Sequence, residues 1–253
     1  TLGIILQKVV GGTDSFALMA VPFYILAGEL MNESGITDRL IRFSSTLVGH
    51  IRGGLGHVTV VANMIMAGIS GSAIADAAGI GSILIPAMKK QGYGSAFSAV
   101  VVASAATIGP IIPPSITMVI IGVATETSVG KLFMGGIIPG ILIGLSLMML
   151  IYIISKRRGY PKDERAKFIQ ILKALKDSVF ALVMPLIIVG GILGGVFTLT
   201  EAGAVAAAYA FFVGIFIFRE LKLRKLPDLL YSVTMTTAKV MFIIGAASLF
   251  GWI

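Results

Sequence analysis

The lysine and arginine residues of this chain are confined to short segments that separate long apolar runs. Seventeen of the 20 basic residues lie in four segments, which are residues 39–52, 89–90, 156–176 and 219–225. Because basic residues accumulate in the cytoplasmic loops of membrane proteins, the pattern predicts that all four segments face the cytoplasm. With 57% hydrophobic and 13% charged residues among 253, the chain has more apolar surface than a soluble domain could bury. We therefore predict an all-α polytopic membrane protein.

Several apolar segments are candidate membrane spans, since a spanning helix needs about 20 apolar residues. They are Phe16–Met31, Leu132–Ile154, Val179–Phe197, Ala202–Phe218 and a segment that begins near Ser232. Two other segments, Thr37–Val48 and Phe168–Leu175, mix basic and apolar residues as interfacial helices do. We expect these two helices to lie at the cytoplasmic interface, with Leu40, Phe43 and Leu47 facing outward.

The apolar segment between Arg52 and Lys89 is too short for two ordinary spans. Both of its ends are predicted to be cytoplasmic, and residues 53–88 are apolar or small throughout. Each half has roughly 16 to 18 residues, or about 25 Å of helix, against a hydrocarbon core of about 30 Å. Two thin crossings are one interpretation. We favour a re-entrant helical hairpin whose tip is Ser70-Gly71-Ser72.

A second interruption lies at IGPIIPPS, residues 108–115. Pro110, Pro113 and Pro114 have no N–H, and the residue before a proline avoids the helical conformation. The sequence therefore predicts a broken transmembrane helix that resumes at about Ile116.

The two interruptions together predict one binding cavity, because unpaired backbone in hydrocarbon is tolerated only against protein or water. Free carbonyl and hydroxyl oxygens there suit Na⁺, and helix N-termini at Ser72 and Ser115 suit a carboxylate. Taken alone, GISGSA also fits close helix packing. Asp76 has two interpretations, as a partner of the helix dipole or as part of an ion or substrate site. Glu29 and Glu201 lie near span ends and are interpreted as interfacial.

The same composition argues against other classes of function. The chain has no cysteine, and its two histidines, His50 and His57, are too few for a metal cluster. Neither interruption contains a cysteine or histidine, so we predict no catalytic residues and no enzyme. The net charge of +8 follows from the cytoplasmic segments, so we predict no nucleic-acid partner.

Four stretches resemble a known family of transporters. ALMAVPFYILAGELM, GISGSAIADAAGIG, IGPIIPPSITMVIIG and PLIIVGGILGGVFTLTEAGAVA are similar, in this order, to the large membrane subunit of tripartite ATP-independent periplasmic (TRAP) transporters. The resemblance implies a multi-pass secondary transporter of the bacterial inner membrane, with the inverted repeat of the ion-transporter superfamily and an elevator motion driven by Na⁺. It implies two partners, a small four-helix membrane subunit and a periplasmic substrate-binding protein. Family substrates include C4-dicarboxylates and sialic acid.

The resemblance also assigns roles to residues in both interruptions. The expected sodium-binding residues are Ser70, Gly71, Ser72, Gly109, Pro110, Pro113 and Pro114. The expected contacts to an organic acid substrate are Ser72, Ser115 and Asp76. A stand-alone Na⁺/carboxylate symporter of the same superfamily, without a binding protein, is the alternative. A pure scaffold would leave both interruptions unexplained.

These expectations divide the chain into four parts. Residues 1–52 form a scaffold span and an amphipathic arm helix, residues 53–90 the hairpin, and residues 91–130 the broken helix of the transport domain. Residues 131–253 form further spans, a cytoplasmic linker near 156–176 and the start of a second repeat. Because the chain starts without methionine and ends inside an apolar segment, we expect a piece of a longer protein, with the second hairpin and second broken helix beyond Ile253.

Overall fold

The structure is a computed structural model that describes residues 2–252, and those residues form helices and no strand. The helices are α1 (Leu2–Thr13), α2 (Ala20–Glu33), α3 (Ile36–Val48), α4 (Gly54–Ser70), α5 (Ala73–Lys90), α6 (Ser95–Ala106), α7 (Ile116–Ala124), α8 (Val129–Arg158), α9 (Phe168–Leu193), α10 (Leu199–Phe212) and α11 (Leu226–Trp252). A 3₁₀ turn, Phe16–Met19, precedes α2, and a π-helical turn, Val213–Ile217, continues α10.

Four helical segments are long and apolar enough to cross a membrane. They are Val129–Arg158, Phe168–Leu193, Leu199–Ile217 and Leu223–Trp252. A fifth candidate is a pair of helices, Gly3–Thr13 and Phe16–Glu33, which are bent by 59° relative to each other. The prediction of an all-α polytopic membrane protein is therefore confirmed.

Two predicted helix boundaries are wrong. Phe168–Leu175 is not a separate interfacial helix but the first two turns of α9, which continues to Leu193. The intervening residues 176–178 are polar but include neither proline nor glycine, so nothing interrupts the helix. The last helix begins at Leu226 rather than near Ser232, because Pro227 lies in its first turn, where a missing N–H has no cost.

Helices α4 and α5 form a hairpin with arms of 17 and 18 residues. The Thr59 hydroxyl oxygen of α4 lies 3.9 Å from the Met88 sulfur in α5, so the arms lie side by side up to their bases. Gly71 ends α4 in the left-handed conformation, with φ of 58°. Such a residue stops a helix, and glycine adopts the conformation without steric cost.

The hairpin geometry makes a topological prediction. If both arms return to one side of the membrane, single cysteines at Arg52 and Gln91, which are exposed residues at the two bases, should react with an impermeant reagent from the same side. The measurement is labelling in right-side-out and inverted vesicles of the full-length protein, with a cysteine at Glu126 as the control that should react from the opposite side. Labelling of Arg52→Cys and Gln91→Cys from opposite sides would contradict the hairpin and favour an odd number of crossings.

Helix α3 confirms the predicted amphipathic helix but buries its apolar face in the protein itself. Ile36, Leu40 and Ile41 are buried, and α3 packs against α4 and α9. The prediction that Leu40 faces a partner or lipid is therefore wrong. Phe43 is half-buried and Leu47 is 37% exposed, so these two apolar side chains remain accessible from outside.

The turn between α3 and α4 is joined to the linker between α8 and α9. Gly53 donates a backbone hydrogen bond to the carbonyl of Pro161 at 3.0 Å. In return, Asp163 donates one to the carbonyl of Gly49, also at 3.0 Å. The base of the hairpin and the linker are therefore held together by their backbones.

Candidate functional site

The tip of the hairpin lies directly against the proline bend between α6 and α7. A β-carbon on Gly71 would lie 2.7 Å from the carbonyl oxygen of Pro114, 3.2 Å from the Ile116 nitrogen and 3.3 Å from Ser115 Cα. Glycine is thus needed at this position for its left-handed conformation and for the space. The two interruptions do meet, as their predicted placement requires.

A second close approach joins the bend to α5. A β-carbon on Gly109 would lie 2.7 Å from Asp76 Oδ2 and 3.3 Å from the Ala73 nitrogen. On the other side of the tip, a β-carbon on Gly68 would lie 3.0 Å from Pro185 of α9 and 3.6 Å from the Pro113 carbonyl oxygen. The absence of side chains at these glycines therefore lets three backbone segments converge.

Asp76 lies at the centre of this convergence and is fully buried. Its Oδ1 accepts a hydrogen bond from the Ser70 hydroxyl at 2.5 Å, and that hydroxyl accepts one from the Ser72 N–H at 3.2 Å. Asp76 Oδ2 has no hydrogen-bond partner among residues 2–252. A buried carboxylate oxygen without a partner is costly, so this atom is the natural position for a proton or a cation.

Ser72 and Ser115 each cap the helix that they precede. The Ser72 hydroxyl accepts from the Ala75 N–H at 3.4 Å, and the Ser115 hydroxyl accepts from the Met118 N–H at 3.2 Å. The Ser115 hydroxyl also donates to the Pro110 carbonyl at 2.6 Å. The first N–H groups of α5 and α7 have no intrahelical partner, so both helices present positive ends to this region.

A cavity of about 350 Å³ opens on the hairpin tip. Its polar lining comprises Ser70, Ser72, Thr117, Glu29, Asn32 and Thr236. Of the predicted site residues, Ser70, Gly71, Ser72 and Pro110 line this cavity. Gly109, Pro113, Pro114, Ser115 and Asp76 do not line it and lie behind its wall, at the contact between the tip and the bend.

Glu29, which the sequence indicated as interfacial, lines the cavity beside the hairpin tip, since a β-carbon on the neighbouring Gly28 would lie 3.2 Å from Ser70 Cα. Asn32 lies one turn further along α2 and accepts a hydrogen bond from Thr37 at 3.0 Å. Polar residues within an otherwise apolar span were the available signal for both. Glu201, in contrast, bonds reciprocally with Thr198 at the start of α10, at 2.8 Å, which is a structural capping role.

Three cavities lie in a row along α11. The central cavity shares Ile120 and Val240 with a cavity of about 810 Å³ that is also lined by α1 and α7. It shares Glu29 with a smaller cavity, of about 270 Å³, that contains Lys225. The hairpin tip therefore lies beside the middle one of three neighbouring cavities along α11.

Comparisons with known proteins identify the family of this chain. Residues 1–253 match the family described as "Tripartite ATP-independent periplasmic transporter, DctM component". The chain is 44% identical, over 247 residues, to the sialic acid TRAP transporter large permease protein SiaM of Vibrio cholerae, covering 98% of this chain and 58% of that protein.

Two further relatives carry other substrate names. The 2,3-diketo-L-gulonate TRAP transporter large permease protein YiaN of Escherichia coli is 44% identical over 250 residues, with 99% of this chain and 59% of the relative covered. The C4-dicarboxylate TRAP transporter large permease protein DctM of Pseudomonas aeruginosa is 44% identical over 238 residues, which are 94% of this chain and 56% of that protein. The chain thus spans less than two thirds of the length of these relatives. It belongs to the DctM family of TRAP transporter large permease proteins, a family of membrane transporters and not of enzymes.

Proposed function

We propose that this chain forms part of a Na⁺-coupled importer of organic anions in the bacterial inner membrane. The observation that carries the proposal is the contact of the hairpin tip with the proline bend around the buried carboxylate of Asp76. The family supports the two proposed partners, a small four-helix membrane subunit and a periplasmic substrate-binding protein. The inverted repeat and the elevator motion are part of the same proposal.

The residues at this contact fit a sodium ion. Na⁺ is a hard cation that prefers oxygen ligands, and the contact offers Asp76 Oδ2, the Ser70 hydroxyl and the carbonyl groups of the bend. Within residues 2–252 no three His, Cys, Asp or Glu side chains form a group that could hold a metal ion. A single carboxylate among neutral oxygens balances a monovalent cation better than a divalent one.

The substrate is proposed to place a carboxylate at the helix ends beside the tip. Ser72 and the first residues of α7, Ile116 and Thr117, line the cavity, where the helix N-termini favour an anion. The same turn, Ser70 to Ser72, touches both the proposed ion and the proposed substrate. Sodium binding would therefore order the turn that receives the carboxylate, which links substrate affinity to Na⁺.

Glu29 affects which organic acids can bind in the cavity. This residue lines the same cavity, where its carboxylate would repel a second carboxylate of the substrate and accept hydrogen bonds from hydroxyl groups. The relatives are named for both sugar acids and C4-dicarboxylates. The arrangement in this chain favours a hydroxylated acid with a single carboxylate.

The function is tested with the full-length protein, reconstituted with both proposed partners in proteoliposomes. Labelled sialic acid, sugar acids and C4-dicarboxylates are supplied under gradients of Na⁺, Li⁺ or H⁺. We expect uptake of an organic acid only with Na⁺ and only with the binding protein present. Uptake by the large and small subunits without the binding protein would favour the stand-alone symporter.

In the same assay, Ser70→Ala should raise the half-saturating Na⁺ concentration about tenfold, since a hydrogen bond to a charged group contributes about 1.5 kcal/mol or more. Ser72→Ala should raise it less, because it removes mainly the cap of α5. In both variants the half-saturating Na⁺ concentration should shift more than the substrate affinity measured at saturating Na⁺. Ser82→Ala, on the exposed face of α5, is the matched control. An unchanged Na⁺ dependence in Ser70→Ala would remove Ser70 from the ion site.

A further inference from the structure

A groove of about 520 Å³ lies between α3, the linker that follows α8 and the first turns of α9. Its basic lining residues are Arg39, Arg42, Arg165, Lys167 and Lys173. Three carboxylates, those of Asp163, Glu164 and Asp177, also line it. All of these residues except Asp177 belong to the segments whose charge predicts a cytoplasmic location, and Asp177 directly follows one of them.

Most basic side chains of the groove form no ion pair within the protein. Arg39 pairs with Glu220 at 2.5 Å, and it is the one basic lining residue that takes part in an ion pair among residues 2–252. Arg42, Arg165, Lys167 and Lys173 have no carboxylate oxygen within 4.0 Å, although three carboxylates line the same groove. With Arg39 neutralised by Glu220, the four remaining cations exceed the three carboxylates by one, so the groove has a net positive charge that attracts an anion.

The same turns of α9 carry an apolar stripe that is open to the surroundings. Phe168 is 77% exposed, Ile169 is 78% exposed and Leu172 is 55% exposed. Lys173 and Asp177 point toward the groove instead, so the helix separates a charged face from an apolar one. An anion bound in the groove would therefore lie beside a surface that suits hydrocarbon chains.

We propose that this groove binds the phosphate headgroup of an anionic phospholipid, whose acyl chains lie along Phe168, Ile169 and Leu172. Charge complementarity selects the anionic headgroup, and the adjacent apolar stripe selects a lipid over a soluble anion. Arg42 of α3 and Lys173 of α9 would contact the same phosphate. The lipid would thereby hold α3 against the start of α9, from a position far from the hairpin tip.

The proposal is tested with the full-length protein in detergent, using phosphatidylglycerol, phosphatidylcholine and inorganic phosphate as probes. Native mass spectrometry counts the retained lipid, and thermal unfolding measures stabilisation. We expect phosphatidylglycerol to be retained and to raise the unfolding temperature, whereas phosphatidylcholine and inorganic phosphate do neither. The double variant Arg42→Gln/Lys173→Gln should bind phosphatidylglycerol about tenfold or more weakly, since each basic residue near a membrane surface contributes a several-fold gain in affinity.

The matched control is Lys222→Gln/Arg224→Gln, which removes two charges from another predicted cytoplasmic segment that does not line the groove. It should retain phosphatidylglycerol as the unchanged protein does. Both changed groove residues are exposed, so the double variant should unfold at the same temperature as the unchanged protein in the absence of lipid. Equal losses in the groove and control variants would overturn the proposal, as would equal stabilisation by inorganic phosphate. Unchanged lipid binding with loss of the small subunit would overturn it too, by assigning the groove to a protein partner.

Discussion

Gly71→Val should abolish Na⁺-dependent uptake by the full-length transporter while the protein still inserts into the membrane and assembles. A β-carbon at this position would lie 2.7 Å from the Pro114 carbonyl oxygen, and the left-handed backbone disfavours a β-branched residue. The tip and the bend would therefore have to separate, which disperses the oxygen ligands proposed for Na⁺. Uptake of labelled substrate against Na⁺ concentration is the measurement.

A glycine with free space around it provides the control. Gly135 of α8 has no atom within 4 Å of the position of a β-carbon, so Gly135→Val should transport normally. Gly71→Val with normal uptake and an unchanged Na⁺ dependence would show that the contact between tip and bend serves packing alone.

Asp76→Asn should raise the half-saturating Na⁺ concentration about a hundredfold, since losing a buried charged partner of the ion costs about 3 kcal/mol. The substitution preserves the size of the side chain and an oxygen that can accept from Ser70. The measurement is again uptake against Na⁺ concentration, together with thermal unfolding in the presence and absence of Na⁺. Stabilisation by Na⁺ should disappear in the variant.

The same variant distinguishes the two interpretations of Asp76. If the carboxylate only complements the dipole of α5, its loss should cost about 0.3–1 kcal/mol of stability and leave the Na⁺ dependence unchanged. Asp38→Asn is the matched control, because Asp38 is an exposed acid in the first turn of α3. It should show the small dipole effect and no change in the Na⁺ dependence.

Both helix interruptions were predictable because local chemistry determines them. Three prolines within five residues end a helix in any surroundings, and the capping residue Ser115 marks where α7 resumes. A glycine between two serines likewise marks the end of α4 and the start of α5. The contact between the two interruptions was also predictable, because the unpaired backbone groups of each must be shielded from the lipid hydrocarbon.

The features that the sequence did not reveal depend on tertiary packing. Leu40 reads as an outward-facing residue of an amphipathic helix, yet α4 and α9 cover it. Glu29 reads as an interfacial residue, and only the position of α2 beside the hairpin tip places it in the cavity. The start of α9 was misplaced because an amphipathic segment and an apolar span can form one helix without any breaker between them.

The pairing of the α3–α4 turn with the linker after α8 has a mechanical consequence. Gly53 and Pro161, and Gly49 and Asp163, exchange backbone hydrogen bonds, so a displacement of the hairpin base pulls the linker with it. The pivot of such a movement has to lie outside this joint. Gly159 ends α8 in the left-handed conformation, with φ of 69°, and its N–H donates to the carbonyl of Ser155. Because Ser155 and Ile151 of α8 also pack against Gly53 and Gly56, the hairpin base, the linker and the end of α8 would move as one unit.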